Sequence, residues 1–100
     1  MTWKVVFHPL VVSIDLPGLD PHARSLVLKA IRKKLAIDPA GYGEPLRREL
    51  FGYRKLRVGD YRVIYRIRGS EVTVLVLKIG MRKDSQVYSE MLSRMKRLLT

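Results

Sequence analysis

The order of residue patterns along the chain predicts an α+β fold, with one opening strand, a helical stretch, three consecutive strands and a final helix. Three observations carry this. Apolar residues recur at helical spacing twice, at Ala23, Leu26, Val27, Ala30, Ile31 and Leu35, and again at Val87, Met91, Leu92, Met95 and Leu98. Between them lie three runs rich in β-branched and aromatic residues, at about 53–58, 61–67 and 71–79. Val58-Gly59-Asp60 and Arg68-Gly69-Ser70 separate these runs with turn chemistry, so they read as a meander of antiparallel hairpins.

Each element has its own signals. Residues 2–7, TWKVVF, read as a strand, and 9–16 form a short ambiguous segment ended by Pro17-Gly18. Asp20 offers an N-cap and Pro21 fits the first helical position, so a helix covers about 20–36. Asp38-Pro39 closes it, because a residue before proline is pushed out of the helical region. Residues 39–45 read as a loop. The run VTVLVLKI is apolar on both faces and reads as the central strand. Gly80 is expected to give a tight exit from the sheet, before a helix from about 84 to 99. With no repeat, linker or low-complexity tract, residues 1–100 read as one domain.

Charge is the unusual property. Twenty Lys and Arg against nine Asp and Glu leave a formal +11. Such an excess repels itself in a compact state and suits a polyanionic partner. Cysteine is absent, which excludes disulfides and thiolate metal sites. His8 and His22 lie outside the basic region, and the carboxylates show no metal-ligand spacing. Gly41-Tyr42-Gly43 is too short for a phosphate-cradling fingerprint, so no cofactor and no metal are expected. Asp15 and Pro17 interrupt the one apolar stretch near the start, and nowhere do 18 apolar residues run together. The expectation is a soluble cytoplasmic protein without a membrane partner.

Eight basic residues fall between Arg47 and Arg68, opposed only by Glu49 and Asp60. Strand alternation puts Tyr53, Lys55 and Arg57 on one face of their strand. On the next strand Arg62, Ile64, Arg66 and Arg68 share a face, opposite Tyr61, Val63, Tyr65 and Ile67. If the apolar set packs on the helices, a hairpin places Arg62 and Arg66 beside Lys55 and Arg57 on an open, cationic face. Most charge runs are solvated outer faces, but here the sign is nearly uniform and arginine predominates. Arginine's planar fork matches phosphate and stacks on bases, and Tyr53 and Tyr88 can interleave with it. Such a groove suits single-stranded RNA.

Residues 46–65, LRRELFGYRKLRVGDYRVIY, resemble the diagnostic core of the RelE/ParE toxin superfamily, in which a leucine–glycine–aromatic approach leads into R-x-G-x-Y-R-[VL]-[IV]-Y. Val74 to Tyr88, with V-x-V-L-x-I-G-x-R-x…V-Y, resembles the same family's last strand and active loop. The resemblance implies a toxin of a type II toxin–antitoxin pair. Its fold would be a small, microbial-ribonuclease-like antiparallel sheet with N-terminal helices on one face. RelE-type members cleave mRNA in the ribosomal A site. Carried over by position, Lys55, Arg62, Arg82 and Tyr88 match catalytic residues, and Arg57 matches a supporting basic position. Arg54, Arg57, Arg66, Lys83 and Tyr53 are expected to bind RNA. The chain departs at Tyr53, where one subgroup has a second lysine, and at Met81, where many relatives carry histidine.

The resemblance further implies an acidic, partly disordered cognate antitoxin, with ribosome and mRNA as the other partners. Cleavage would proceed by attack of the 2′-OH on the adjacent phosphate, with Arg62 and Lys55 stabilising the transition state and Tyr88 orienting the nucleotide. A lysine crowded by like charges would have a lowered pKa and serve as base. Alternative readings are a ParE-like gyrase poison without nuclease activity, or a non-catalytic nucleic-acid-binding module.

Overall fold

All the strands that the alternation predicts form, and a fifth of two residues joins them. The computed structural model describes residues 2–81 and 84–99, the last three through their backbone alone. The strands are β1 (Lys4–Phe7), β2 (Glu44–Pro45), β3 (Arg54–Val58), β4 (Tyr61–Arg68) and β5 (Thr73–Met81), in the spatial order β1-β5-β4-β3-β2. Strands β2 to β5 pair antiparallel, as expected for a meander. Strand β1 does not: it runs parallel to β5, from Lys4 opposite Thr73 to Phe7 opposite Val76, so the sheet is mixed rather than antiparallel. A parallel neighbour requires a crossover, and here everything between Phe7 and Thr73 supplies it. The run VTVLVLKI is interior, flanked by β1 and β4, but the middle position belongs to β4. Strand β5 starts later than its composition suggests, because Val72 adopts a left-handed φ of 50° that a β-branched residue rarely takes.

Helix α1 (Pro21–Ala30) starts as its signals predict: Pro21 is the first residue and the Asp20 carboxylate accepts the Ala23 N–H at 2.9 Å. It continues as a wider π turn through Leu35. The ambiguous 9–16 segment is also helical, ending in a π turn over Val11–Asp15. These N-terminal pieces cover one face of the sheet, where Val11, Val27, Ile31 and Leu35 pack on Val63 and Tyr65. Helix α2 (Asp84–Leu99) covers the other face, burying Val87 and Met91 against Ile64, Leu77, Leu46 and Leu50. The apolar stripe predicted for this helix is therefore engaged, with Tyr88, Leu92 and Met95 at its margins. Leu98 lies outside the described side chains. The two clusters sit on opposite sides of β4, whose alternation sorts them as the sequence predicts.

Residues 39–45 are more ordered than a loop. Tyr65, fully buried, donates its phenol hydrogen toward the carbonyls of Pro39 and Tyr42, each 2.8 Å away. Gly43 makes this approach feasible: φ is +72°, and a Cβ there would stand 2.4 Å from the Tyr65 hydroxyl.

Beyond Phe7, β1 ends and leaves the outer edge of β5 unpaired. Buried edge groups need partners. Asp15 supplies one by accepting the Ile79 N–H at 2.9 Å, and Arg94 of α2 supplies another by donating to the Leu77 carbonyl at 3.0 Å. Arg94 also grips Asp15 with two parallel hydrogen bonds of 2.8 Å. Lys78 approaches Asp15 at 3.5 Å and Glu90 at 3.4 Å. The residue read as an interruption of an apolar stretch is thus a buried anchor joining the N-terminal turn, the sheet and α2.

Candidate active site

The hairpin β3–β4 fixes the relative positions of the basic residues. Its register sets Lys55 opposite Ile64 and Arg57 opposite Arg62, all on the α2 side. This is the grouping that alternation predicts, but the face is not open. The apolar stripe of α2 lies on it, and Lys55 and Arg62 are only 8% and 7% exposed. Burying two cations is costly unless each is paired and hydrogen-bonded. The pairing comes from Asp84, the first residue of α2. Its Oδ2 lies 2.5 Å from Lys55 Nζ and its Oδ1 lies 2.7 Å from Arg62 Nε. Arg62 Nη1 also donates to the carbonyls of Gly59 and Tyr61, both at 3.0 Å, which fastens the guanidinium to the β3–β4 turn. Glu44 of β2 adds a second carboxylate, 3.4 Å from Lys55 Nζ. The Tyr88 ring centre lies 5.8 Å from the same nitrogen.

This geometry alters the electrostatics expected of Lys55. Burial alone would lower its pKa, but the Asp84 carboxylate and the Tyr88 phenol outweigh it and raise the value above the ordinary 10.5. The crowded lysine with a lowered pKa is therefore not what forms: acidic neighbours, absent from the local sequence, surround it. The hydrogen bond from Lys55 holds the Asp84 carboxyl below its ordinary 3.8; burial opposes this and Arg62 adds to it. Lys55 stays an ammonium at neutral pH, fit to neutralise charge and unfit to accept a proton.

The remaining candidates divide. Arg57 and Arg66 are exposed on the α2 side, and neither has an ion pair among the described residues. Tyr53 packs against the second apolar cluster, with the Arg66 guanidinium 5.9 Å from its ring centre. Arg54 is not brought to this face. It points the other way, where it donates to the Tyr65 hydroxyl at 3.3 Å and to the carbonyls of Ala40 and Gly43 at 3.0 and 3.3 Å. Its structural task is to hold the 39–43 segment. Arg82 and Lys83 lie outside the described residues. Beside Tyr88 an open cleft of about 320 Å³ runs between α2 and residues 45–50, walled by Leu46, Leu50 and Leu92 and rimmed by Arg47 and Arg48.

Asp84 and Glu44 were missed in the sequence. An acidic residue at the start of a helix ordinarily serves the helix dipole, and that reading conceals a role toward two cations from 22 and 29 positions away. Gly80 is needed for a reason other than the turn expected of it. It lies within β5, and an added Cβ would stand 2.9 Å from a Val87 methyl, so it makes room for α2. Among the described residues no group of acidic, histidine or cysteine side chains could hold a metal ion, and no helix is long and apolar enough to cross a membrane.

Comparison with known proteins matches this architecture. Residues 15–86 fit the family model described as the ParE toxin of the type II toxin–antitoxin system parDE. The toxin RelG of Mycobacterium tuberculosis is 39% identical over 70 residues, spanning 70% of this chain and 80% of that protein. A segment of 40 residues, 40% of this chain and 42% of the relative, is 42% identical to the mRNA interferase toxin RelE of Escherichia coli. Among solved structures, a chain of the RelBE2 toxin–antitoxin complex of M. tuberculosis superposes with a TM-score of 0.78 at 34% identity, covering 84% of this chain and 95% of that one. The isolated E. coli RelE toxin shares the fold, with a TM-score of 0.66 at 20% identity over 93% of this chain and 98% of that one. A sheet of this order, carrying the Arg57-to-Tyr65 motif on its central hairpin and matched over most of its length, places the chain in the RelE/ParE superfamily of type II toxin–antitoxin toxins.

Proposed function

We propose that this toxin belongs to the RelE branch and is a metal-independent endoribonuclease that cleaves mRNA in the ribosomal A site and so stops translation. The observation that carries the reading is the buried Lys55–Arg62 pair, two cations converging on one anion position beside the Tyr88 ring. Attack of a ribose 2′-OH on the adjacent phosphate passes through a dianionic, five-coordinate state, leaving a cyclic phosphate and a free 5′-OH. Preorganised cations stabilise that charge without reorganising. Arg62, fastened by two carbonyls, and Lys55, held as an ammonium, fit this role. Tyr88 and the cleft beside it offer a stacking surface for the nucleotide. The motif gives Arg82 a catalytic role by resemblance, Lys83 is read as a further RNA contact, and the exposed Arg57 and Arg66 extend a cationic track for the strand. The relative named an mRNA interferase supports the same reading.

Partners follow from the same chemistry. A +11 protein with this site suits ribosome and mRNA, and its activity calls for an acidic antitoxin that covers it. The RelBE2 structure shows a relative in a toxin–antitoxin complex. The ParE family match favours a second reading, inhibition of gyrase without RNA cleavage. One comparison separates them: mapping mRNA ends after incubation with programmed ribosomes, alongside a gyrase supercoiling assay. We expect new mRNA ends, and Arg62→Ala to lower their rate of formation roughly 100- to 1,000-fold. Cleavage by Arg62→Ala at the wild-type rate would sink the assignment, and gyrase inhibition without cleavage would establish the alternative.

A further inference from the structure

The cations that the proposed reaction needs are not free. Each oxygen of the Asp84 carboxylate holds one of them, at 2.5 Å from Lys55 Nζ and 2.7 Å from Arg62 Nε. The three partners differ in how they are built in. The Lys55 and Arg62 side chains are only 10% and 9% exposed, whereas the Asp84 side chain is 40% exposed. Arg62 is further tied to two backbone carbonyls, and Lys55 is backed by Glu44 and Tyr88. The cations belong to the wall of the site, and the anion between them faces water. A carboxylate bridging an ammonium and a guanidinium through separate oxygens reproduces the way two non-bridging phosphate oxygens would meet the same donors.

We propose that Asp84 is a built-in stand-in for the scissile phosphate: it holds Lys55 and Arg62 in working geometry in the free toxin, and an incoming phosphate group displaces it. The inference rests on reading Lys55 and Arg62 as phosphate-binding groups. With Asp84 and Glu44 in place, the four side chains carry no net charge, so the buried cations are stable without a ligand. Exchange trades one anion for another instead of exposing two unpaired cations. Asp84 is in this account a positioning residue, and it lowers the affinity for isolated anions. A merely structural ion pair would stabilise the fold equally but would have no reason to be replaceable by phosphate.

Inorganic phosphate is a sufficient probe. Thermal unfolding of wild-type protein, Asp84→Asn and Asp84→Ala is followed in low salt, with phosphate or with sodium chloride of matched ionic strength. Both variants are expected to melt below wild type and to recover most of the deficit with phosphate but not with chloride, because a ligand bound to the folded state stabilises it by mass action. The Arg62 Nε–H resonance, titrated with phosphate, is expected to report affinity roughly tenfold or more tighter in Asp84→Asn than in wild type, the removed competitor being a charge-assisted hydrogen-bonding group. Adding Arg62→Ala to Asp84→Ala removes the recovery. A deficit that phosphate does not restore, equal recovery with chloride, unchanged affinity in Asp84→Asn, or a variant that stays unfolded with phosphate present overturns the proposal. No RNA enters these measurements, so exchange can hold where nuclease activity fails. If Arg62→Ala abolishes cleavage and phosphate exchange is absent, the nuclease reading stands and the stand-in alone falls.

Discussion

The anchor at Asp15 yields a prediction whose size follows from its surroundings. Arg94→Met keeps the length of the side chain and removes the guanidinium, leaving a carboxylate whose side chain is 2% exposed. Removing one partner of a buried pair costs about 3–5 kcal/mol, because the other charge stays buried and uncompensated. Two donors remain here, the Ile79 N–H at 2.9 Å and Lys78 at 3.5 Å, which places the cost at the lower end, about 3 kcal/mol. For a domain of this size each kcal/mol moves the melting temperature by about 4–8 °C, so a drop of about 12–24 °C is expected. The double variant Asp15→Asn with Arg94→Met removes the orphaned charge as well, and should cost less than the sum of the two single changes. Urea and thermal unfolding followed by circular dichroism give both numbers. A loss below about 1 kcal/mol for Arg94→Met, or additivity of the singles within about 0.5 kcal/mol, would refute the coupling.

Three other perturbations test separate parts of the molecule. Tyr65→Phe removes the hydroxyl that satisfies the Pro39 and Tyr42 carbonyls and should cost about 1–3 kcal/mol in chemical denaturation, with faster amide exchange in residues 40–43. Gly80→Ala drives a Cβ to 2.9 Å from a fully buried Val87; we expect about 1–3 kcal/mol of overpacking, read as a lower urea midpoint with shifted methyl resonances at Val87. The Asp84–Lys55 pair predicts a pH window. The Asp84 pKa is lowered, so its contribution is present above 3.8 and lost as pH falls through the depressed folded value. The Lys55 pKa is raised, so its contribution is full below 10.5 and lost as pH rises through the folded value. The stability gap between wild type and Asp84→Asn should be constant from about pH 5 to 9, close at the acid end, and narrow without closing at the alkaline end, where Arg62 still holds the Asp84 carboxylate; a gap that varied within that range would contradict the pairing.

Local chemistry made most of the fold legible. Asp20-Pro21 marks the start of α1, and the alternation through Tyr61–Ile67 sorts the side chains to the two faces that the structure shows. The two-residue strand β2 gave no signal, since Glu44-Pro45 has no periodicity of its own and exists through pairing with β3. The direction of β1 was equally hidden, because a four-residue strand carries no mark of parallel or antiparallel pairing. At the site, the grouping of Lys55, Arg57 and Arg62 was readable from period two, and the covering of that face was not. Whether an amphipathic helix lies over a charged strand depends on where its ends are pinned, and the pins, Asp84 and the Asp15–Arg94 pair, join residues 22 to 79 positions apart. Arg54 shows the opposite failure: a basic residue next to Lys55 in sequence, it faces away because adjacent strand residues must.

Strand β1 and Asp15 are made early, and both depend on partners made late. Strand β1 is an edge strand whose neighbour is β5, and Asp15 takes its donors from Lys78, Ile79 and Arg94. During synthesis the β3–β4 hairpin can close as soon as it emerges, because its contacts are local. That hairpin carries Lys55 and Arg62, whereas their partner Asp84 comes from α2, later in the chain. The first strand finds its neighbour in a chain segment 69 residues away. The sheet edge and the paired cations are therefore completed by the same element: until α2 is in place, Asp15 lacks Arg94 and the two cations of the hairpin lack Asp84.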